Sequence, residues 1–164
     1  MPCEISVEKL LIWNDDTSRR WRDFIVANPA ILLIECDIRN GKTVADTLQH
    51  IVAVELRYGQ RLSGLPESPY EEIPKDSIHS LFAAHTLAFE TVRHLLANPT
   101  YDWSTELTFD TISLGRLRAS RETVLVHLTL HSIRHYAQLA TLVRQQGFKT
   151  TWPMDYLFTA AQRA

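Results

Sequence analysis

The stretch SRETVLVHLTLHSIRHYAQLATLVRQQG, residues 120–147, predicts the longest helix of the chain and with it the fold class. Its apolar residues recur every three or four positions, which is the spacing of one face of an α-helix. Ser120 is a favoured N-cap residue and Gly147 a favoured residue just beyond a helix end. A long helix with a single apolar stripe buries that stripe against other helices.

Three further stretches show the same periodicity and are predicted to be helices. Their ranges are about 6–27, 43–62 and 77–98, and each ends shortly before a proline. Residues 103–117 resemble two short strands with a turn at Asp110-Thr111, or else a loop. Four apolar stripes are buried most simply in a bundle. We therefore predict one all-α domain over residues 1–164, a four-helix bundle with a short β-hairpin before the last long helix.

Length and composition narrow the class of protein. The 164 residues carry a formal net charge of −2, and 22% of them are charged, as in an ordinary soluble domain. This charge disfavours a general nucleic-acid binder, and no stretch approaches the roughly 18 apolar residues that cross a membrane. The first residues show no secretory leader, and two cysteines without a CxxC motif suit a reducing compartment. We predict a cytoplasmic protein that binds neither nucleic acid nor membranes.

The histidines of the last helix are the unusual feature of the sequence. His127, His131 and His135 follow one another at intervals of four residues. His131 and His135 fall in the middle of the apolar stripe, and His127 falls at its border. Buried imidazoles cost free energy unless a partner satisfies them, and two that are one turn apart can both bind one metal ion. The alternative is a pair of core histidines that hydrogen-bond to their neighbours. The spacing favours the metal.

A catalytic metal site usually has three protein ligands, and the spacing alone leaves the third one open. His50 lies at the edge of the apolar arc of the second helix, Glu55 lies inside that arc, and His85 lies in the stripe of the third helix. A buried glutamate is rare without a partner, so Glu55 is expected to pair with an arginine or a histidine. His85 is expected to fill the core or to line a pocket.

The second and last helices resemble those of the DinB/YfiT-like proteins. HLTLHSIRHYAQLATLVRQQG, residues 127–147, is similar to the family pattern H-x3-H-x3-H, followed by R-G-Q, several leucines and L-R-x-x-G. TVADTLQHIVAVELRYGQRL, residues 43–62, is similar to the family helix in which a histidine ligand precedes a buried glutamate. One departure stands out, because Tyr136-Ala137 replaces the Arg-Gly that the family often has, while Gln138 is retained.

The resemblance covers nearly the whole chain, since residues 13–14 and 115–127 are also similar to the family. It implies an up-down-down-up four-helix bundle with one divalent metal ion bound by His50, His131 and His135. Zinc or nickel is expected first, and iron, manganese or copper are the alternatives, because imidazoles suit several of these ions. It also implies a homodimer.

The resemblance further implies a metal-dependent enzyme, in some branches a transferase that joins a low-molecular-weight thiol to a small electrophile. A metal with an open position can lower the pKa of a thiol or of water, so a metal-dependent hydrolase is an alternative. The metalloprotease motif HExxH is absent, because Ser132 follows His131. Asp46 and Asp155 are candidate bases, although a capping or surface role is the simpler interpretation, and no catalytic residue is assigned. A non-catalytic, stress-associated protein that binds a metal or a ligand is the third alternative.

Overall fold

The computed structural model describes residues 6–38, 41–111 and 114–161 of the chain. Four long helices dominate it: α1 (Val7–Ala27), α2 (Val44–Leu62), α3 (Ile78–Leu96) and α4 (Arg121–Gln145). Two antiparallel strands, β1 (Glu106–Thr111) and β2 (Gly115–Ser120), precede α4, and a short helix, α5 (Tyr156–Ala160), follows it. The predicted all-α bundle with a short hairpin is confirmed.

The helices begin at the residues that the sequence marks as caps. At the start of α2 the Thr43 hydroxyl accepts a hydrogen bond from the Asp46 backbone N–H, and the Asp46 carboxylate accepts one from the Thr43 backbone N–H. This reciprocal capping box satisfies backbone donors that the helix itself leaves unpaired. At the start of α4 the Ser120 hydroxyl accepts a hydrogen bond from the Thr123 backbone N–H. Just beyond the other end of α4, Gly147 adopts a φ of 88°, a conformation that glycine takes at little cost.

The hairpin differs from its prediction in one detail. Asp110 and Thr111, the predicted turn, belong to β1, where they pair with Arg116 and Gly115 of β2. The turn therefore falls after Thr111, and the prediction of its position is wrong. The alternation of exposed and half-buried side chains continues through both residues, as expected of a strand with one face on the protein.

Contacts between the helices give their directions. Helices α2 and α3 are parallel, because their contacts advance along both: Glu55 meets His85, and Gly59 meets Ala88. Helices α2 and α4 are antiparallel, because His50 meets His131, whereas the later Tyr58 meets the earlier His127. Helices α1 and α4 are parallel, as shown by the hydrogen-bonded pairs Asn14–Thr129 and Ser18–Tyr136. The bundle therefore runs up-down-down-up, and α2 and α4 lie against each other at the level of the histidines.

Large aromatic side chains fill the core near α1 and α4. Trp21 and Tyr136 are fully buried and stack with ring centroids 5.9 Å apart. The Tyr136 hydroxyl lies 2.8 Å from the Ser18 hydroxyl, so its polar end has a buried partner.

Within the described residues, every helix is too short or too polar to cross a membrane.

Candidate metal centre

Three histidines from two helices meet at one point between α2 and α4. His50 comes from α2, and His131 and His135 come from α4; one ring nitrogen of each lies within 4.8 Å of the others. His131 is 6% and His135 2% exposed, whereas His50 is half-buried and opens the group to one side. Spacing alone left His50, Glu55 and His85 as candidates for the third ligand. The structure brings His50 to the histidine pair on α4.

The donor set fits a divalent metal ion. The Nε2 atoms of His50 and His131 lie 3.1 Å apart. A metal about 2.0–2.1 Å from each of two imidazole nitrogens, at an angle of roughly 100°, holds those nitrogens about 3 Å apart. Three neutral nitrogen ligands also leave a coordination position for water or substrate, which is the arrangement of catalytic rather than structural zinc sites.

The electrostatics of His131 keep this imidazole neutral. Burial lowers its pKa, the neighbouring His135 and His50 lower it further, and together they bring it to about 2. A charged imidazole here would lose its hydration and face two other rings. At neutral pH the ring therefore keeps a lone pair, and only the neutral form of histidine can bind a metal.

The orientation of His135 is set by Gln138, one turn further along α4. The Nδ1 atom of His135 lies 2.7 Å from Oε1 of Gln138, and this oxygen can only accept a hydrogen bond. Nδ1 therefore carries the proton, and the lone pair is on Nε2. Arg134 Nη2 lies 3.1 Å from that Nε2 and donates to it. A hydrogen bond like the one from Nδ1 to Gln138, made by the nitrogen that does not bind the metal, fixes the tautomer and the ring angle of a metal-binding histidine.

Replacing Gln138 with leucine is therefore expected to weaken metal binding roughly 10–100-fold, because the ring of His135 loses the acceptor that orients it. Gln138→Glu keeps an acceptor at the same place and should retain most of the affinity. Competition with a colorimetric chelator measures both dissociation constants. Equal affinities of the leucine variant and the unmodified chain would show that Gln138 does not orient the ligand.

Glu55 and His85 do not belong to the three-histidine group but to a separate buried network. Glu55 is 0% exposed; its Oε2 accepts a hydrogen bond from His85 Nδ1 at 2.7 Å, and its Oε1 accepts one from Ser132 Oγ at 2.6 Å. His85 Nε2 lies 3.1 Å from Oδ1 of Asp15. The predicted pairing of Glu55 with a histidine is confirmed, as is the core position of His85. The network ties all four long helices together.

The charges of this network are balanced within the bundle. Burial lowers the pKa of His85, but Glu55 and Asp15 outweigh it and raise the pKa to about 9, so the imidazole is a cation at neutral pH. Burial raises the pKa of Asp15, yet His85 and then Arg93 hold it below its usual value. Arg93 donates a hydrogen bond of 2.6 Å to Asp15. The carboxylates of Glu55 and Asp15 thus face the cations of His85 and Arg93, and buried charges need such partners.

The remaining candidates lie outside the group of three ring nitrogens. His127 is exposed, and its ring packs 5.3 Å from that of Tyr58. Asp155 is exposed at the N-cap position of α5. Asp46 serves the α2 cap and pairs with Lys75; these contacts, Lys75 first, lower its pKa to about 2 although burial acts the other way. Capping and surface roles therefore describe the two aspartates.

A cavity of about 450 Å³ opens beside His50. Tyr70, Gln49 and the lysines Lys42 and Lys75 are among the residues that line it. The Tyr70 ring lies 6.5 Å from that of His50. Sequence reasoning missed Tyr70, because it belongs to the segment between α2 and α3, where no periodicity indicates which side chains face inwards.

Comparison with protein families places the chain beside a known family. The model of the DinB family matches residues 2–163 of this chain. The matched range contains all four long helices and the three histidines of the candidate metal centre. No curated protein matches the chain significantly. The match agrees with the resemblance seen in the second and last helices, and its range covers nearly the whole chain.

Proposed function

This chain belongs to the DinB family, and we propose that it binds one divalent metal ion through His50, His131 and His135. The observation that carries the proposal is the convergence of three ring nitrogens within 4.8 Å, from two helices, with two of the rings buried. Zinc or nickel is the proposed ion, since imidazole suits both. Three neutral ligands leave the positive charge of the ion uncompensated, so the centre favours an anionic ligand in its open position.

We further propose that the centre serves a thiol-dependent transfer to a small electrophile. A divalent ion held there supplies a lowered pKa to a thiol that takes the open position. The chain supplies the site around it: neutral imidazoles, a ring oriented by Gln138, and a cavity of about 450 Å³ beside His50. A cavity of this size suits a small molecule. A low-molecular-weight thiol, a small electrophile and a homodimer are the partners implied by the family resemblance.

Hydrolysis is less well supported by the residues around the centre. A metal-dependent hydrolase usually pairs the ion with a general base whose pKa lies near the working pH. Asp46 is the carboxylate among the described residues that line the cavity, and its hydrogen bonds with Lys75 and Thr43 help to lower its pKa to about 2. Such a carboxylate is a weak base. A thiol needs such a group less than water does, because its pKa of about 8.5 is far below the value of about 15.7 for free water, and the ion lowers it further.

Cobalt-substituted protein, prepared without a histidine tag, tests this proposal. A thiol that takes the open position should produce an intense sulfur-to-cobalt charge-transfer band in the near ultraviolet. The loaded protein should also join the thiol to an electrophile such as a chloronitrobenzene: the thiolate sulfur, having lost its proton, forms a bond to the ring carbon, and the carbon–chlorine bond breaks with release of chloride. His127→Ala is the matched control and should behave like the unmodified chain. A loaded protein with neither band nor turnover would indicate a non-catalytic metal-binding protein.

The stability of the metal-loaded chain should depend on pH. Burial and neighbouring rings already lower the pKa of His131 to about 2, and metal coordination favours the neutral form of all three histidines. In the unfolded chain the ordinary value is about 6.5. A lowered folded-state pKa gives stability that is fully present above about 6.5 and is lost as the pH falls towards the folded value. The Tm of the metal-loaded chain should therefore fall between pH 7.5 and pH 5. A loaded chain whose Tm stayed constant over that range would contradict histidine ligation.

A further inference from the structure

Arg134 brings a guanidinium group to the candidate metal centre. It lies next to His135 in the sequence, and its Nη2 is 3.1 Å from His135 Nε2. The side chain is exposed, so it can move. No carboxylate of the described residues pairs with it. Arginines at buried or functional positions usually bind a carboxylate or a phosphate. Here the group points instead at a ring nitrogen of one of the three histidines that meet at the centre.

That nitrogen cannot serve the arginine and a metal ion at once. Nδ1 of His135 donates to Gln138, so Nε2 holds the single lone pair of the ring. A metal that binds Nε2 displaces the guanidinium but leaves it close to the ion, and two positive charges repel each other at such distances. An anion between them removes the repulsion and gives the guanidinium a new acceptor.

The cavity beside His50 has the same preference for negative charge. Two lysines, Lys42 and Lys75, line it together with a single carboxylate, Asp46. Asp46 is already paired with Lys75, whereas the ammonium group of Lys42 has no ion-pair partner among the described residues. The rings of His50 and His135 are 5.0 Å apart at their centroids, so the cavity and Arg134 adjoin the same centre.

From this arrangement we propose that Arg134 anchors a carboxylate group of the small molecule that occupies the centre. The inference rests on the proposed function, because it requires the metal to hold Nε2 of His135. A guanidinium forms two parallel hydrogen bonds with a carboxylate, which suits a ligand acid better than a single-atom anion. The site thus selects a thiol that carries a carboxylate over a neutral thiol of the same length.

The test compares two thiols on the zinc-loaded full-length chain by isothermal titration calorimetry. 3-Mercaptopropionate should bind about tenfold more tightly than 3-mercaptopropan-1-ol, as expected for one charge-assisted contact that is partly exposed. In the Arg134→Gln variant the ratio of the two dissociation constants should be close to one, while the chain still holds one equivalent of zinc. Arg134→Lys should give an intermediate ratio, because lysine keeps the positive charge but cannot donate two parallel hydrogen bonds to a carboxylate.

Arg144→Gln is the matched control, since Arg144 is an exposed arginine in the last turn of the same helix. Its ratio should equal that of the unmodified chain. A ratio near one in the unmodified chain, or a raised ratio that survives Arg134→Gln, would overturn the role of Arg134. Failure of the unmodified chain to bind zinc would instead overturn the proposed function, and metal content measured on the same samples separates the two results.

Discussion

The His131→Ala variant is expected to lose the metal almost completely while the bundle stays folded. The binding free energy of a four-coordinate zinc site is about 10–16 kcal/mol, or about 2.5–4 kcal/mol for each ligand. Loss of one ligand should therefore weaken binding roughly 100–1000-fold. His131 is buried, and its Nε2 lies 3.1 Å from that of His50, so its removal takes away a donor at the middle of the group. Metal content after dialysis against a weak chelator measures the effect.

The same experiment separates the three proposed ligands from the other histidines. His135→Ala and His50→Ala should lose the metal as His131→Ala does, because each removes one of the three converging nitrogens. His127→Ala is the control, since His127 is exposed and outside the group. Stoichiometric metal in the His50 variant, together with its loss from the His127 variant, would show that the third ligand comes from α4 and not from α2.

The Glu55→Ala variant is expected to lose about 3–5 kcal/mol of its free energy of unfolding, the usual cost of removing one partner of a buried ion pair. The carboxylate is fully buried and accepts hydrogen bonds from both His85 and Ser132. Its removal leaves the His85 cation with Asp15 alone and leaves the Ser132 hydroxyl without this acceptor. Urea denaturation followed by circular dichroism measures the loss.

Two variants control for this effect. Glu55→Gln preserves the shape and one acceptor oxygen, so it should cost less than the alanine variant. Glu90→Ala removes an exposed carboxylate from α3 and should change stability by no more than about 0.5 kcal/mol. Both Glu55 variants should still bind the metal, since Glu55 is not one of the three donors. A Glu55→Ala variant as stable as the Glu90→Ala control would contradict the account of the network.

Local signals in the sequence predicted the helices well. The capping box of Thr43 and Asp46, the Ser120 cap and the positive φ of Gly147 all depend on residues within one turn of a helix end. The turn of the hairpin was predicted wrongly because Asp110 is a common turn residue, whereas the alternating pattern that continues through it decides the structure.

The parts of the site that depend on tertiary contacts could not be predicted from spacing. His131 and His135 share one helix, so their proximity follows from helical geometry. The position of His50 required the family resemblance, because it is 81 residues away from His131. Asp15 is 70 residues from His85, and no local pattern indicates that the two are paired. Arg134 was missed for another reason: the side chain is exposed, and its position at the centre appears only in the structure.

X-ray absorption fine structure of the zinc-loaded chain, purified without a histidine tag, tests the central claim most directly. It reports the elements around the metal and their distances, independently of any activity. We expect one equivalent of zinc with three imidazole nitrogens at about 2.0–2.1 Å and one further light atom. A shell with fewer than three imidazoles, or a chain that holds no stoichiometric metal at neutral pH, would contradict the assignment of His50, His131 and His135 as the ligands.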